Sequence, residues 1–181
     1  KELSRFLEDP KSDVIDAGRR VLGYLKRTKS HGLVYKKIPG YRPEKFVTYL
    51  KCYSDADFAA EVPGRKSTSG LVVTLGPSET PLIWKSISQR LVALSTAESE
   101  FISLTTLVQH LKYLDKVVRD LFNICSSSRF DVYIKPDEPY DVYCDNQAAV
   151  RIANCDAHEL ARTKHIDVRT SFVKDNIVRG F

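Results

Sequence analysis

Methionine is absent from this chain of 181 residues, and tryptophan occurs only once. The absence of methionine leads us to expect that Lys1 is not the natural start of the polypeptide. The four cysteines form no C-x-x-C pair, which disfavours a disulfide framework and favours a reduced intracellular protein. Cys155 precedes His158 and His165, but their number and spacing do not fit a standard zinc site.

Long apolar runs are also missing. No stretch approaches the roughly 20 residues of a membrane-spanning helix, and the first residues lack the pattern of a signal peptide. We therefore expect no membrane partner. Hydrophobic residues make up 43% of the chain and charged residues 28%, as in a globular protein with its own core. The net charge of +5 favours nucleic acid or another polyanion as partner, although a merely basic globular domain would carry the same charge.

Hydrophobic periodicity divides the chain into two parts. Apolar side chains at helical spacing predict one helix over residues 4–27, and residues 33–35 predict a short strand. A basic connection that contains Pro and Gly follows. We assign residues 1–44 to a first segment and residues 45–181 to the functional domain.

The second part predicts an α/β fold, with a layer of helices on a sheet. Alternating side chains predict a strand from residue 46, and strands at 70–76 and 81–86 follow. Their short connections predict an antiparallel meander. The remaining predicted elements are a helix over about 96–123, a strand at 140–145, and helices at 146–153 and 163–178.

Three acidic segments carry the chemistry that the sequence indicates. Asp55 lies at the end of a strand, Glu100 lies near the start of the long helix, and Asp145 ends a later strand. Hard cations such as Mg²⁺ prefer oxygen ligands and keep several waters, so a few converging carboxylates suffice to bind them. Two such ions about 4 Å apart stabilise both the attacking and the leaving oxygen of a phosphodiester cleavage. In a basic chain, this pattern predicts a two-metal site that acts on nucleic acid.

The long helix places two glutamates on different faces. Ser95 and Glu98 have the spacing of a capping box, in which each residue satisfies an amide at the start of the helix. Positions 98 and 100 point in roughly opposite directions because an α-helix has 3.6 residues per turn. The face of Glu100 continues as an apolar seam, formed by Leu104, Leu107, Leu111, Leu114, Val118 and Phe122. A carboxylate there is costly unless it is ligated or hydrogen-bonded, so we predict that Glu98 is a cap and Glu100 a metal ligand rather than a satisfied edge residue.

The two aspartate positions are more ambiguous. Asp57 shares the strand parity of Asp55, but it is more typical of a turn, so Asp55 is the preferred ligand. Asp145 could instead be the N-cap of the next helix, because ligation and capping look alike at a strand-to-helix junction. Neither a G-x-S-x-G elbow nor a phosphate-binding P-loop occurs in the sequence.

Six segments in the second part share their order with a known family. They are YSDADFAA from Tyr53, RKSTSGL from Arg65, WKSISQ from Trp84, LSTAESEFISL from Leu94, YCDNQAA from Tyr143 and RTKHIDVR from Arg162. They resemble the ribonuclease H domain of copia-type LTR retrotransposon polyproteins, whose pattern runs Y-S-D-A-D-W-A-G, R-R-S-T-S-G-Y, W-x-S-x-x-Q, S-S-T-E-A-E-Y-I-A-L, Y-C-D-N-Q-S-A and R-T-K-H-I-D-I-R. Residues 1–40 resemble the end of the reverse transcriptase region that precedes this domain.

The resemblance implies a ribonuclease H fold, a mixed five-stranded sheet with helices, whose final strand could lie beyond residue 181. It implies cleavage of the RNA strand of an RNA–DNA hybrid with two Mg²⁺ (or Mn²⁺) ions. By motif, the metal ligands carry over onto Asp55, Glu100 and Asp145. The reverse transcriptase and the rest of the polyprotein are the implied protein partners. The expected location is intracellular, in a cytoplasmic virus-like particle and, secondly, in the nucleus.

A fourth carboxylate is the main open point in this resemblance. Ribonuclease H sites usually carry one on a late helix, and in copia-type elements an A-D-x-x-T-K motif beyond Phe181 could provide it. Asp167 is the candidate within this chain, and the alternative is a salt-bridged helix residue. Ala60 and Ser103 replace the Gly and Ala of the family pattern, and both departures are mild.

Basic and aromatic side chains near the motifs are candidates for contact with nucleic acid. Arg65, Lys66 and Lys85 could contact phosphates, but a solvated hairpin edge explains them equally well. We expect Trp84 in the core rather than stacked on a base.

Three classes of function stay open at this point. The intact set of Asp55, Glu100 and Asp145 favours a metal-dependent endoribonuclease that is specific for hybrids. Absence of the fourth ligand would favour a non-catalytic binding or scaffold domain instead. A DNA strand-transfer enzyme such as an integrase shares the fold but fits the motifs poorly.

Overall fold

The structure is a computed structural model that describes residues 3–36, 50–75, 79–126, 140–154 and 164–178. Within these ranges the side chains of residues 5, 118, 119, 122–126, 164–167, 170 and 178 are not described. The chain divides into two compact units, Lys1–Val34 and Tyr35–Phe181. The boundary that the sequence predicts, between residues 44 and 45, lies outside the described residues.

The first unit contains a 3-10 helix at Leu3–Phe6 and helix α1 at Ser12–Arg27. The prediction of one continuous helix over residues 4–27 is wrong at its start, because Pro10 lacks an amide hydrogen and disfavours helical backbone before it. Residues 31–36 form neither helix nor strand, so the predicted strand at 33–35 is also wrong. A strand needs a neighbouring strand to pair its backbone, and within the described residues none pairs with this segment.

The second unit is built on a mixed sheet of four strands among the described residues. Strands β1 (Leu50–Asp57), β2 (Thr68–Leu75), β3 (Thr80–Ser88) and β4 (Asp141–Cys144) are ordered β3-β2-β1-β4. The pairs β1–β2 and β2–β3 are antiparallel, which confirms the predicted meander, whereas β1 and β4 are parallel. The helices are α2 (Thr96–Ser126), α3 (Gln147–Asn154) and α4 (Lys164–Val178).

This arrangement confirms the α/β fold, and the mixed sheet with flanking helices is ribonuclease H-like. Helix α2 packs on β1 and β2, and both α3 and α4 pack against α2. None of the helices in the described part of the chain combines the length and the apolar character that crossing a membrane requires.

The core lies between the sheet and α2, as the seam on this helix predicts. Its main cluster joins two residues from each of β1, β2 and α2: Leu50, Cys52, Leu71, Val73, Leu107 and Leu111. A second cluster joins α2 to α3 and α4 through Phe101, Leu104, Ala153 and Val173. Burial raises the pKa of the Cys52 thiol to about 12, so this cysteine is an apolar core residue rather than a reactive group.

The expectation that Trp84 belongs to the core is wrong, since 61% of this side chain is exposed. Trp84 lies on β3, an outer strand of the described sheet, and pairs with Val72. Side chains alternate between the two faces of a strand. The buried neighbours of Val72, which are Leu71 and Val73, point towards α2, so Val72 and Trp84 belong to the opposite face.

Candidate metal centre

The sheet brings two of the predicted aspartates to the same edge. Strands β1 and β4 run parallel, and Ser54 of β1 pairs with Cys144 of β4. The next residues along these neighbouring strands are Asp55 and Asp145. Because β1 and β4 run parallel with Ser54 and Cys144 in register, Asp55 and Asp145 are neighbours at one edge of the sheet.

Glu100 reaches this edge from the first turns of α2. Its side chain is buried, with 6% exposure. One ligand atom each from Glu100, Cys144 and Asp145 lies within 4.8 Å of the other two. Cys144 is half-buried and Asp145 is exposed, so the group is open to solvent on the Asp145 side. Two carboxylates and a thiol at this separation could hold a cation.

Burial and two neighbouring negative charges act on the carboxyl group of Glu100. Burial raises the pKa of its carboxyl to about 7, and the negative charges of Asp55 and Asp145 contribute to this rise. A hydrogen bond from the backbone amide of Ala56 opposes it only in part. The Oε2 atom of Glu100 is buried and has no hydrogen-bond partner among the residues that the structure describes. A buried carboxylate oxygen of this kind is costly unless a proton or a cation satisfies it.

Asp55 is exposed and lies outside the group of three ligand atoms. It is nevertheless close enough to Glu100 for its charge to act on the pKa of that carboxyl. The structure therefore brings Asp55, Glu100 and Asp145 to the same end of the sheet. Their role as metal ligands stays a prediction.

The N-cap of helix α3 shows whether Asp145 caps this helix or is available as a metal ligand. The side-chain oxygen of Asn146 accepts hydrogen bonds from the backbone amides of Ala148 at 2.9 Å and Ala149 at 3.0 Å. Asn146 is thus the N-cap residue, and the alternative that Asp145 serves as the cap is wrong. Asp145 can therefore face the metal centre while its neighbour starts the helix.

The cap of helix α2 confirms the structural role of Glu98. The amide of Glu98 donates to Ser95 Oγ at 3.1 Å, and the Glu98 carboxylate accepts from the amide of Leu94 at 2.7 Å. The carboxylate reaches back one residue further than in the standard capping box, in which it would bond the amide of Ser95 itself. The two glutamates of this turn therefore have different surroundings, as the predicted helix faces require.

Two further acidic candidates are less informative. Asp57 is exposed and is the last residue of β1, where it pairs with Thr68. The backbone of Asp167 lies in α4, but its side chain is outside the described residues. Its assignment as a fourth ligand or as a salt-bridged residue therefore stays open.

The basic candidates are divided between two places. Arg65 and Lys66 lie in the turn that joins β1 to β2, which is the end of β1 that carries Asp55. Lys85 lies on β3, where its Nζ atom is 3.3 Å from Nε2 of His110 on α2. Burial and the charge of Lys85 both lower the pKa of His110. Contact of these basic residues with phosphate stays a prediction.

Sequence reasoning did not single out three residues that build the site. Cys144 places its thiol among the carboxylates. The Gln89 amide donates to the carbonyl of Ser99 at 2.8 Å and to Ser69 Oγ at 2.9 Å, which fixes the turn that precedes Glu100. Ser103 Oγ lies 2.7 Å from the carbonyl oxygen of Asp55, to which it donates. A polar residue within a buried helix face needs a partner, and this signal could have identified Ser103.

We predict that Ser103→Ala lowers the free energy of unfolding by about 1 kcal/mol, the scale of one lost hydrogen bond. The hydroxyl joins α2, one turn after Glu100, to the backbone of Asp55, so its loss should also weaken divalent-metal binding. Urea denaturation and metal titration measure the two effects. Ser99→Ala is the matched control, because Ser99 Oγ bonds the carbonyl of Thr96 within the same helix. Ser99→Ala should therefore cost a similar free energy of unfolding but leave metal binding unchanged, and equal weakening of metal binding by both substitutions would contradict this role.

The fold and the acidic group together define a ribonuclease H-like α/β domain with a candidate metal centre. No established protein-family profile matches the chain. It is 33% identical over 175 residues, or 97% of its length, to the retrovirus-related Pol polyprotein from transposon TNT 1-94 of Nicotiana tabacum. It is 30% identical over 179 residues, or 98% of its length, to the corresponding polyprotein from transposon RE1 of Arabidopsis thaliana. In each case it spans 11% of the relative.

The chain therefore belongs to the copia-type retrotransposon Pol polyproteins. A shorter relative is the secreted RxLR effector protein 161 of Plasmopara viticola, with 37% identity over 112 residues. That match covers 62% of this chain and 72% of the relative.

Proposed function

We propose that this domain is a metal-dependent ribonuclease H, which cleaves the RNA strand of RNA–DNA hybrids during reverse transcription of a retroelement. The observation that carries the proposal is the group formed by Glu100, Cys144 and Asp145, whose ligand atoms lie within 4.8 Å of one another. Asp55 adds a negative charge that acts on Glu100. The chain has a net charge of +5, which suits a polyanionic substrate.

The surroundings of Glu100 also support binding of a divalent cation. Glu100 Oε2 is buried and has no partner in the described part of the chain, and a cation at this atom would satisfy it. Asp55, Glu100 and Asp145 would hold the ions, which we propose to be two Mg²⁺ (or Mn²⁺). When bound, such ions activate a water and stabilise the leaving 3′ oxygen of the phosphodiester.

The protein's own contribution is to hold the carboxylates in place. Glu100 is fixed by the amide of Ala56 and by the two polar contacts that Gln89 and Ser103 make around it. Arg65 and Lys66, in the turn at the same end of β1, would bind the phosphates of the hybrid. Discrimination of RNA from DNA would depend on contacts with 2′-hydroxyl groups.

The proposed protein partners are the reverse transcriptase and the other parts of the polyprotein, since the curated relatives are Pol polyproteins of which the chain spans 11%. We propose a cytoplasmic location in a virus-like particle, with the nucleus as a second location. The proposed fourth carboxylate is Asp167 or a residue beyond Phe181.

The proposal is tested on an end-labelled RNA–DNA hybrid and on RNA and DNA duplexes of the same sequence, each with Mg²⁺, Mn²⁺ or a chelator. We expect cleavage of the RNA strand of the hybrid only, and only with a divalent cation. Asp145→Asn should abolish it. Asp141→Asn is the matched control, because Asp141 is the first residue of β4, whereas Asp145 directly follows the other end of this strand, roughly 13 Å away at about 3.3 Å per residue. Metal-independent cleavage, or equal loss in both variants, would overturn the proposal.

A second candidate is a non-catalytic domain that binds nucleic acid or protein. It is favoured by the relative called a secreted effector, 72% of whose length matches this chain. If this candidate is correct, the chain should bind the hybrid without cutting it under any metal condition, and Asp145→Asn should leave the binding unchanged.

A further inference from the structure

Cys144 is the member of the acidic group that a magnesium centre does not require. Magnesium binds oxygen ligands in a near-octahedral shell and keeps several waters. A thiol is a soft ligand, which selects zinc and related cations instead. The Cys144 sulfur nevertheless lies within 4.8 Å of a carboxylate oxygen of Glu100 and of Asp145.

We propose that Glu100, Cys144 and Asp145 form a binding site for Zn²⁺, and that zinc bound there excludes the catalytic divalent ions and blocks cleavage. The inhibitory effect rests on the proposed function. The binding itself does not, so the two can fail separately.

The separation of the donor atoms is close to that which a zinc ion demands. Zinc bonds to sulfur at about 2.3 Å and to carboxylate oxygen at about 2.0–2.2 Å, so two donors on one ion are roughly 3–4 Å apart. The three donor atoms are already within 4.8 Å of one another. Glu100 is 6% exposed, and its Oε2 has no partner among the described residues, which is an independent sign that a cation binds at this place.

The chemistry of binding is an exchange without oxidation or reduction. The Cys144 S–H bond breaks, its proton passes to water, and a sulfur–zinc bond forms, as when a zinc ion binds any cysteine. Three protein donors leave a fourth tetrahedral position for a water. The exposed side of Asp145 gives this position access to solvent.

Zinc bound in this way would inhibit because it removes two of the carboxylates from the catalytic centre. Glu100 and Asp145 cannot serve a tetrahedral zinc ion with a thiolate ligand and an octahedral magnesium ion equally well. A thiolate ligand also favours zinc over magnesium, which prefers carboxylate, carbonyl and water oxygens. Low zinc concentrations should therefore compete with much higher magnesium concentrations.

Cobalt(II) provides a spectroscopic test that needs no activity. The chain should first carry Ser in place of Cys125 and Cys155, whose side chains lie outside the described residues. The remaining thiols are then Cys144 and the core residue Cys52, which has 0% exposure. Co²⁺ should produce a thiolate-to-cobalt charge-transfer band in the near ultraviolet, and Zn²⁺ should displace it. The band should disappear in Cys144→Ser and persist in Cys52→Ala.

A competition test compares the affinities for zinc and for magnesium, first in the wild-type chain and then in Cys144→Ser. The ratio of zinc to magnesium affinity, from metal-induced shifts in melting temperature, should fall by about 10–100-fold in Cys144→Ser, the scale of losing a group that supports a bound metal. The zinc concentration that halves magnesium-dependent cleavage should rise to the same extent. The melting temperature of each metal-free variant verifies that it is folded.

The unsubstituted chain gives a third measurement. Zinc should slow alkylation of Cys144 by a maleimide, followed by mass spectrometry, whereas magnesium should not. An absent cobalt band, equal zinc affinity in Cys144→Ser, or alkylation that ignores zinc would each overturn the inference. A cobalt band that depends on Cys144 in a chain that cuts no hybrid would instead support the zinc site and refute the proposed nuclease.

Discussion

Replacement of Glu100 by Gln is expected to give a folded protein whose cleavage of an RNA–DNA hybrid is slower by about a hundredfold to a thousandfold, the effect of losing one electrostatic group from an active site. Gln keeps the size of the side chain but removes the negative charge that a cation needs. The structural reason for this expectation is that the buried Oε2 atom of Glu100 has no partner within the described ranges. Single-turnover cleavage with magnesium measures the effect.

Glu98→Ala is the matched control, because it removes the same residue type two positions earlier on the same helix. Its carboxylate accepts a hydrogen bond from the amide of Leu94 at 2.7 Å, so its loss should cost about 1 kcal/mol of stability, as for other caps. Cleavage should persist almost unchanged. If Glu98→Ala abolished cleavage while Glu100→Gln merely reduced stability, the assignment of the two helix faces would be wrong.

The parts of the fold that the sequence predicted are those set by local periodicity. The spacing of the apolar residues after Glu100 predicts a helix with one buried face. Leu104, Leu107 and Leu111 on this face are indeed buried. The antiparallel meander follows from short connections, which leave neighbouring strands few alternatives. These features need no knowledge of distant parts of the chain.

The errors concern features that depend on neighbours. The exposure of Trp84 depends on which face of an outer strand is covered, and strand alternation alone does not specify this. Residues 33–35 have strand character, but in the described part of the chain no strand pairs with them. Asp145 and Asn146 are both good caps, and only the observed hydrogen bonds of Asn146 distinguish them.

In the candidate site, too, the residues marked by local sequence patterns were predicted, and those placed by tertiary packing were not. The position of Glu100 on the apolar face of a predicted helix identified it as a candidate, and the positions of Asp55 and Asp145 at the ends of predicted strands identified them. The position of Cys144 beside them requires the parallel pairing of β4 with β1, which joins residues far apart in sequence. The contacts of Gln89 and Ser103 around the start of α2 likewise depend on tertiary packing.

Without metal, the chain is expected to lose stability as the pH rises from about 4.5 to 7, by an amount that Glu100→Gln removes. Burial, assisted by Asp55 and Asp145, raises the pKa of the Glu100 carboxyl from 4.5 to about 7. Below pH 4.5 both the folded and the unfolded chain hold this proton. Between the two values the unfolded chain releases it while the folded chain keeps it, so rising pH favours unfolding. Above pH 7 the loss is complete.

Melting temperatures of the wild type and of Glu100→Gln, measured across this range in a chelator, test the effect. The difference between the two proteins isolates Glu100 from the other titrating groups. A divalent cation should reverse the trend, because it binds the ionised carboxylates of the folded state and stabilises it by mass action. The stabilisation by magnesium should therefore grow as the pH rises towards 7 and should be much smaller in Glu100→Gln. Parallel pH profiles for the two proteins, with and without magnesium, would show that Glu100 neither titrates in this range nor binds the metal.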